Sequence, residues 1–583
     1  MILIFKAADD KISSIPPSQK QKRNAAMNNK AFDFHKYKYG LFVHYVHGLS
    51  FFSDGRRPKD INETLDSFDA RGFADDVASM GVQYVVLTAW HYNMITLYPS
   101  KVNEKYRGKP LARRDLLGEI IDGLNSKGIK VILYTHPRDG HDFDSADREA
   151  TGWGEGYNTA SSAKDKPDPN KFNGARWNEY IKELYTELAD KYAKKLYGFY
   201  TDGVGPYDGR DPAMEKNLQV VDYLMLRRIM KSKNPELCMI QNYFGYIFSN
   251  DYAMPEGYFG FEGKALKSNV EALPAAEKSL AMSPFDGGWM PGLPLDNKDS
   301  DPHSAPIENA VKFVLFNASC TVGGGTVYAT GPYCEGNIWQ SGALDYLKAI
   351  GEKLREYKKS ALDAKVSLSF PTISGDTLSS LGNKFFFTSE DEKYEYLHLT
   401  KETEQVILKE SLDGAELHSP LSLTEGLRIE GFDGKLLRLS GDFDPIDSVI
   451  RFERRGTALS PRIQWINDTD KRIRYSADWK YHHLDQSPLR QEITKGCFES
   501  DLHRSLAKGA NAFLAFEGSV AEIYGRGEVS VFIDGVKLCD VKSTAAQVSR
   551  SPVFTSPELY GGWHTLYLVT ETEFDLDAVR IIN

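Results

Sequence analysis

The chain has 583 residues, a formal net charge of -10 at neutral pH and 12% aromatic residues. Such a length suits roughly three or four domains rather than one. The acidic balance, without a long basic run, argues against a nucleic-acid backbone as partner, because phosphate binding needs clustered Lys and Arg. The lysines around Lys191 to Lys195 sit on a helical pattern and read as a solvated face. Cys238, Cys320, Cys334, Cys497 and Cys539 are scattered, odd in number and free of a C-x-x-C spacing, so neither a disulfide framework nor a zinc site is expected. No apolar run reaches the roughly 18 residues of a membrane span. Met1 to Phe5 is too short for a signal core, with Lys6 directly behind it, so a secreted or periplasmic location is expected only if a leader has been removed.

Residues 1–36 are polar and charged and read as an irregular lead-in. Tyr39 to Tyr45 is strand-like, Phe73 to Met80 has helical spacing, and Gly81 is its expected stop. Val82 to Thr88 is a continuous run rich in β-branched residues, as buried parallel strands are. An amphipathic helix over Leu116 to Leu124 closes at Gly128, and a strand runs from Ile129 to Tyr134. A loop from Pro137 to Asn173 is long enough to suggest a role at an active site. Trp177 to Tyr192 is helical. The apolar, aromatic run Leu196 to Thr201 reads as a buried strand that stops at Asp202-Gly203.

Further units follow: a helix over Lys216 to Met230, a strand over Leu237 to Tyr243, a short strand Tyr258 to Phe261 ending at Glu262, a helix over Ile307 to Ala318, a strand Thr326 to Ala329 and a helix Leu344 to Tyr357. Repeated β-then-α units predict an α/β fold, a (β/α)8 TIM-like barrel over 37–360. A doubly wound open sheet would want a Gly-rich first turn, and none is present. After about Ser360 the texture changes to short alternating strands with turns such as Asp413-Gly414, Asp433-Gly434 and Asp534-Gly535. This predicts an antiparallel β-sandwich over 361–460 and a β jelly-roll over 461–583.

Three polar clusters fall at predicted strand ends: His44-Tyr45 with His47 nearby, Trp90-His91-Tyr92-Asn93, and Asp202-Gly203. Strand C-termini form the active-site face of a parallel barrel. Imidazoles there suit sugar hydroxyls, aromatics suit the apolar face of a pyranose, and Asp202 suits a catalytic carboxylate. A turn or helix-capping role for Asp202 and core roles for single histidines are the competing explanations.

These residues resemble the α-L-fucosidase family, glycoside hydrolase family 29. Tyr39-Gly40-Leu41-Phe42-Val43-His44-Tyr45 is similar to that family's F-G-x-F-x-H-W-G phrase. Val82 through Ile95 is similar to its A-K-Y-V-V-L-T-x-K-H-H-D-G-F phrase, and Gly128 to Tyr134 to G-L-K-x-G-x-Y. Tyr200-Thr201-Asp202-Gly203 matches W-x-D-G, and Gly324 to Ile338 resembles a late Gly-rich region. The resemblance implies a retaining exo-glycosidase acting on a carbohydrate. Asp202 would be the nucleophile, with Glu277, upstream of Trp289, as first choice for the general acid/base and Glu262 as second. His44, Tyr45, Trp90, His91, Tyr92, Tyr134 and Trp289 would shape the sugar site. No cofactor, nucleic acid or membrane partner is implied, because two carboxylates suffice.

The chain departs from the family phrases at Trp90 for Lys, Tyr92 for the second His and Asn93 for Asp, and two extra residues precede Gly48. A site built for particular hydroxyls rejects analogues lacking them, so an α-galactoside is a second candidate substrate. The rival classes are a degenerate carbohydrate-binding barrel and a metal hydrolase using His44, His47, His91 and His136. The last segment resembles carbohydrate-binding or jelly-roll modules through Asn467-Asp468, Tyr475 to Trp479 and Asp575 to Ala578. Trp479, Tyr481, Trp563 and His564 are either its binding face or its core.

Overall fold

The computed structural model describes residues 34, 36–91, 93–108, 112–140, 142–153, 175–202, 221–241, 252–254, 256–257, 279–281, 306–319, 326–367, 369–370, 385–390, 393–408, 411, 414–455, 463–470, 472–476, 478–483, 497, 501–544, 548, 551–559 and 563–582. Among them a nine-stranded sheet organises the N-terminal part. Its strands are β1 (Tyr39–Val43), β2 (Tyr84–Thr88), β3 (Lys130–Thr135), β4 (Gly198–Thr201), β5 (Cys238–Gln241), β6 (Tyr252–Ala253), β7 (Glu256–Gly257), β8 (Ser279–Ala281) and β9 (Thr326–Ala329). They pair in the order β6-β5-β4-β3-β2-β1-β9-β8-β7, and every pairing is parallel. The two end strands are separated in the chain only by Met254 and Pro255.

The strands β1 to β4 are buried on both faces, which is why their sequences are apolar throughout rather than alternating. The alternation is still present as two distinct cores, because successive side chains leave a strand on opposite faces. Leu41, Val43, Val85, Leu87, Val131, Leu133 and Phe199 join the helices in one core. Phe42, Tyr84, Val86, Ile132, Tyr134, Tyr200, Ile240 and Val327 fill a second.

The helices that cover the first core start where a short polar side chain can take an unsatisfied amide. Asp60, Asp69, Ser100, Asp115, Asp144 and Asp222 each accept from the backbone N–H three residues on. The helix Leu116–Ser126 buries Leu116, Leu117, Ile120, Ile121 and Leu124, at about 1.5–3 kcal/mol for each fully buried side chain. Gly81, at φ 73°, follows the helix Ala70–Ser79 as expected. The expected helix from Lys216 instead begins at Tyr223, behind the Asp222 cap, and the 216–220 part lies outside the described residues. The Pro137 to Asn173 loop contains a helix, Ser145–Thr151, capped by Asp144 and ended by left-handed Gly152, while 154–173 lies outside the described residues. The strand predicted at Tyr258 to Phe261 also lies outside them.

The C-terminal region is antiparallel. A five-stranded sheet of Lys365–Val366, Phe385–Glu390, Tyr394–Leu399, Ser448–Arg455 and Glu416–Ser422 faces a three-stranded sheet of Gln405–Ile407, Leu436–Gly441 and Leu427–Phe432 across a shared core. A further β-rich part, 463–582, has its own core around Ile523, Val531, Leu568 and Phe574. Asp534 and Gly535 both have positive φ, 51° and 76°, as a tight two-residue hairpin requires. No helix among the described residues is long and apolar enough to cross a membrane.

Candidate active site

Because the strands are parallel, the residues just past their C-termini gather at one edge of the sheet. His44 follows β1, His91 lies three residues past β2, and Asp202 follows β4. Tyr134 sits in β3 with its side chain in the inner core. The Tyr134 hydroxyl donates to Asp202 Oδ2 at 2.6 Å and lies 3.2 Å from His91 Nε2. The His44 ring stands 5.5 Å from the Tyr134 ring and 6.0 Å from that of His91. The Asp202 amide is held by the Thr135 carbonyl at 2.9 Å, which continues the β3–β4 ladder by one residue and fixes where the carboxylate emerges.

Beyond this group lies an acid that sequence reading did not single out. Asp139 Oδ2 is 2.8 Å from His91 Nδ1, and its Oδ1 is 3.2 Å from His136 Nδ1. Asp139 is only 1% exposed. The His91 and His136 rings stack at 5.4 Å. The sequence signal for Asp139 was its position three residues past His136 in the loop that leaves β3.

The electrostatics separate the two inner histidines. Burial, with the neighbouring His91 adding to it, pushes His44 well below the usual histidine range. Burial opposes charge on His91 too, but Asp139, then Asp202 and Asp142, outweigh it and raise its pKa. One imidazole is therefore kept neutral and the other favoured as a cation. Burial, followed by the charges of Asp202 and Asp139, raises Tyr134 well above the usual tyrosine range, so it remains a donor.

Four of the expected residues, His44, His91, Tyr134 and Asp202, are brought together. Two expected sugar contacts are not. Tyr45 has the outward parity of β1, is fully buried against Phe68, and donates to the Thr64 and Cys334 carbonyls at 2.9 and 3.1 Å. Trp90 is likewise fully buried, edge-on to Tyr185, with Nε1 3.4 Å from the His136 carbonyl. Both belong to the core between sheet and helices. Tyr92, Glu262, Glu277 and Trp289 lie outside the described residues. The four histidines of the metal alternative are not gathered either: His47 Nδ1 turns to Thr64 Oγ1 at 2.8 Å. Among the described residues no group of three or more His, Cys, Asp or Glu side chains is arranged to hold a metal ion.

The Alpha-L-fucosidase family model matches residues 12–269. Among solved structures, the alpha-L-fucosidase from Vibrio sp. strain EJY3 is 13% identical with a TM-score of 0.51, over 96% of this chain and 99% of its own. A family 29 alpha-L-fucosidase from Bacteroides thetaiotaomicron is 16% identical with a TM-score of 0.50, over 73% of this chain and 95% of its own. A second structure from that organism, 17% identical with a TM-score of 0.50 over 74% of this chain and 96% of its own, holds a trapped covalent intermediate in complex with 2-fluoro-fucosyl fluoride. No curated protein sequence matches. Residues 12–269 are thus similar to the alpha-L-fucosidase family of glycosidases, and the solved alpha-L-fucosidases share the fold.

Proposed function

We propose that the chain is a retaining, exo-acting glycoside hydrolase that removes terminal α-L-fucosyl residues, or stereochemically similar ones, from oligosaccharides or glycoconjugates. The observation that carries this reading is the Asp202 carboxylate, partly exposed at the end of β4 and held by the Tyr134 hydroxyl beside His44 and His91. In the first step a carboxylate oxygen of Asp202 bonds to C1 of the sugar. The C1–O bond to the leaving group breaks with its electron pair on the leaving oxygen, which takes a proton from the acid. In the second step a water oxygen bonds to C1, its proton passes to the same residue acting as base, and the ester electron pair returns to Asp202. Glu277 is the first choice for that residue and Glu262 the second; retention requires the acid/base to stand about 5 Å from the nucleophile. His44, held neutral, is suited to a sugar hydroxyl as donor or acceptor.

The covalent intermediate trapped in the Bacteroides thetaiotaomicron fucosidase supports the double displacement. The parallel order, with its end strands β6 and β7 only two residues apart, supports a closed (β/α)8 barrel over 37–360. The separate cores support a β-sandwich over 361–460 and a jelly-roll over 461–583. An α-galactoside, which shares the axial hydroxyl pattern of fucose apart from C6, is the second candidate substrate.

A panel of aryl α-glycosides, fuco and galacto first, tests the substrate. Asp202→Gly should lower kcat by about a thousandfold or more, and azide should restore turnover as glycosyl azide. Azide rescue of a different carboxylate variant, with none for Asp202→Gly, would overturn the assignment.

A further inference from the structure

The contacts around His91 bear on its proton count. Asp139, buried and facing Nδ1, can only accept as a carboxylate. On the other side, Tyr134 has one hydroxyl proton, and it is given to Asp202 Oδ2 at 2.6 Å, the length of a charge-assisted bond. The Tyr134 oxygen can then only accept from His91 Nε2, 3.2 Å away. This pattern of contacts is satisfied when both ring nitrogens carry protons. A continuous chain results: Asp139 carboxylate, His91 imidazolium, Tyr134 hydroxyl, Asp202 carboxylate.

We propose that Asp139 is the positioning residue for the nucleophile: it holds His91 doubly protonated, and His91, through Tyr134, stabilises the Asp202 anion. The inference rests on Asp202 being the nucleophile. It adds a reason for the network, since a carboxylate must be ionised to attack C1 and must leave C1 as an anion in the second step. Tyr134 polarised by a neighbouring cation stabilises that anion at both moments, without itself touching Asp139. His136 packs on the His91 ring and stands 3.2 Å from the other Asp139 oxygen. Among the described residues, the charged and titratable groups facing His91 are Asp139, Asp142, His136 and Tyr134 from β3 and the loop after it, His44 from β1 and Asp202 from β4. The acids hold the proton on His91, and His44 beside it stays neutral.

The test uses the full chain with its histidines labelled with ¹⁵N. In the wild type near pH 6.5 the His91 signals, assigned by their loss in His91→Gln, should be those of a doubly protonated ring. A neutral single tautomer there overturns the proposal, whether or not any glycoside is turned over. Failure of every substrate in the panel would instead sink the hydrolase reading and leave the His91 measurement standing. Asp139→Asn should lower kcat about 10–100-fold with KM little changed. It should also move the alkaline limb of the kcat profile to lower pH by about one unit or more, and Asp139→Glu should recover part of both. A purely structural Asp139 would leave the limb in place, which also overturns the proposal. If Asp139→Asn does not fold, the wild-type His91 signals decide alone.

Discussion

Burial and neighbouring charges set how His44, His91 and Tyr134 behave. His91 has a folded pKa raised above its unfolded value by Asp139. The stability this pair contributes is fully present below about pH 6.5, the unfolded histidine value, and fades as pH rises through the higher folded value. Denaturant melts of wild type and Asp139→Asn should thus differ more at pH 6 than at pH 9, by up to about 3–5 kcal/mol for a broken buried pair. Equal differences at both values would mean that His91 gains no charge from the fold. Tyr45 makes the opposite case. Its hydroxyl serves two carbonyls in the outer core, so Tyr45→Phe should cost about 1–2 kcal/mol in melts and leave kcat unchanged. A large loss of kcat would return Tyr45 to the sugar site.

Among the elements, parity on the strands decides which residue serves packing and which serves chemistry. Phe42 and Tyr134 share the inner core, and inward-facing His44 and Asp202 extend that face beyond β1 and β4. Helix packing is equally local. Gly351, on the helix Ala343–Glu356, lies so close to the turn at Met80 and Gly81 that a Cβ there would land on the Met80 carbonyl oxygen. Backbone cannot give way as a side chain does, so Gly351→Ala should destabilise by about 1–3 kcal/mol. Thermal melts check this, and an unchanged midpoint would mean that the helix can slide.

In the whole molecule, the first antiparallel region is tied to the parallel-sheet part by a shared core and by buried polar contacts. Phe386, Tyr396, Ile446 and Val449 join the outer core of the sheet. His398, fully buried, lies 2.5 Å from Asp447 through Nδ1 and 3.2 Å from the Ser360 carbonyl through Nε2. Tyr357 donates to Asp444 at 3.1 Å. Among the described residues the main core of 463–582 contains none from the other parts, and only its Ala515 packs against the inner core of the sheet. Calorimetry should therefore show two transitions, with Asp447→Ala lowering the one shared by the sheet part and the first antiparallel region, by about 3–5 kcal/mol. Movement of both transitions together would make all parts one cooperative unit.

The order of the elements was legible in the chain because each carries a local cause. Continuous apolar runs such as Tyr84 to Thr88 suit strands buried on both faces, and Asp or Ser before an apolar stripe starts a helix. His44, His91 and Asp202 were legible for the same reason, since strand ends in a parallel sheet converge. What the chain alone left undecided was direction. Tyr45 and Trp90 look as much like sugar contacts as His44 and His91 do, and only the packing of Phe68 and Tyr185 turns them into the core. Asp139 carried no motif; its role depends on a 2.8 Å contact with His91, 48 positions away in sequence, and that distance exists only once β2 and β3 lie side by side.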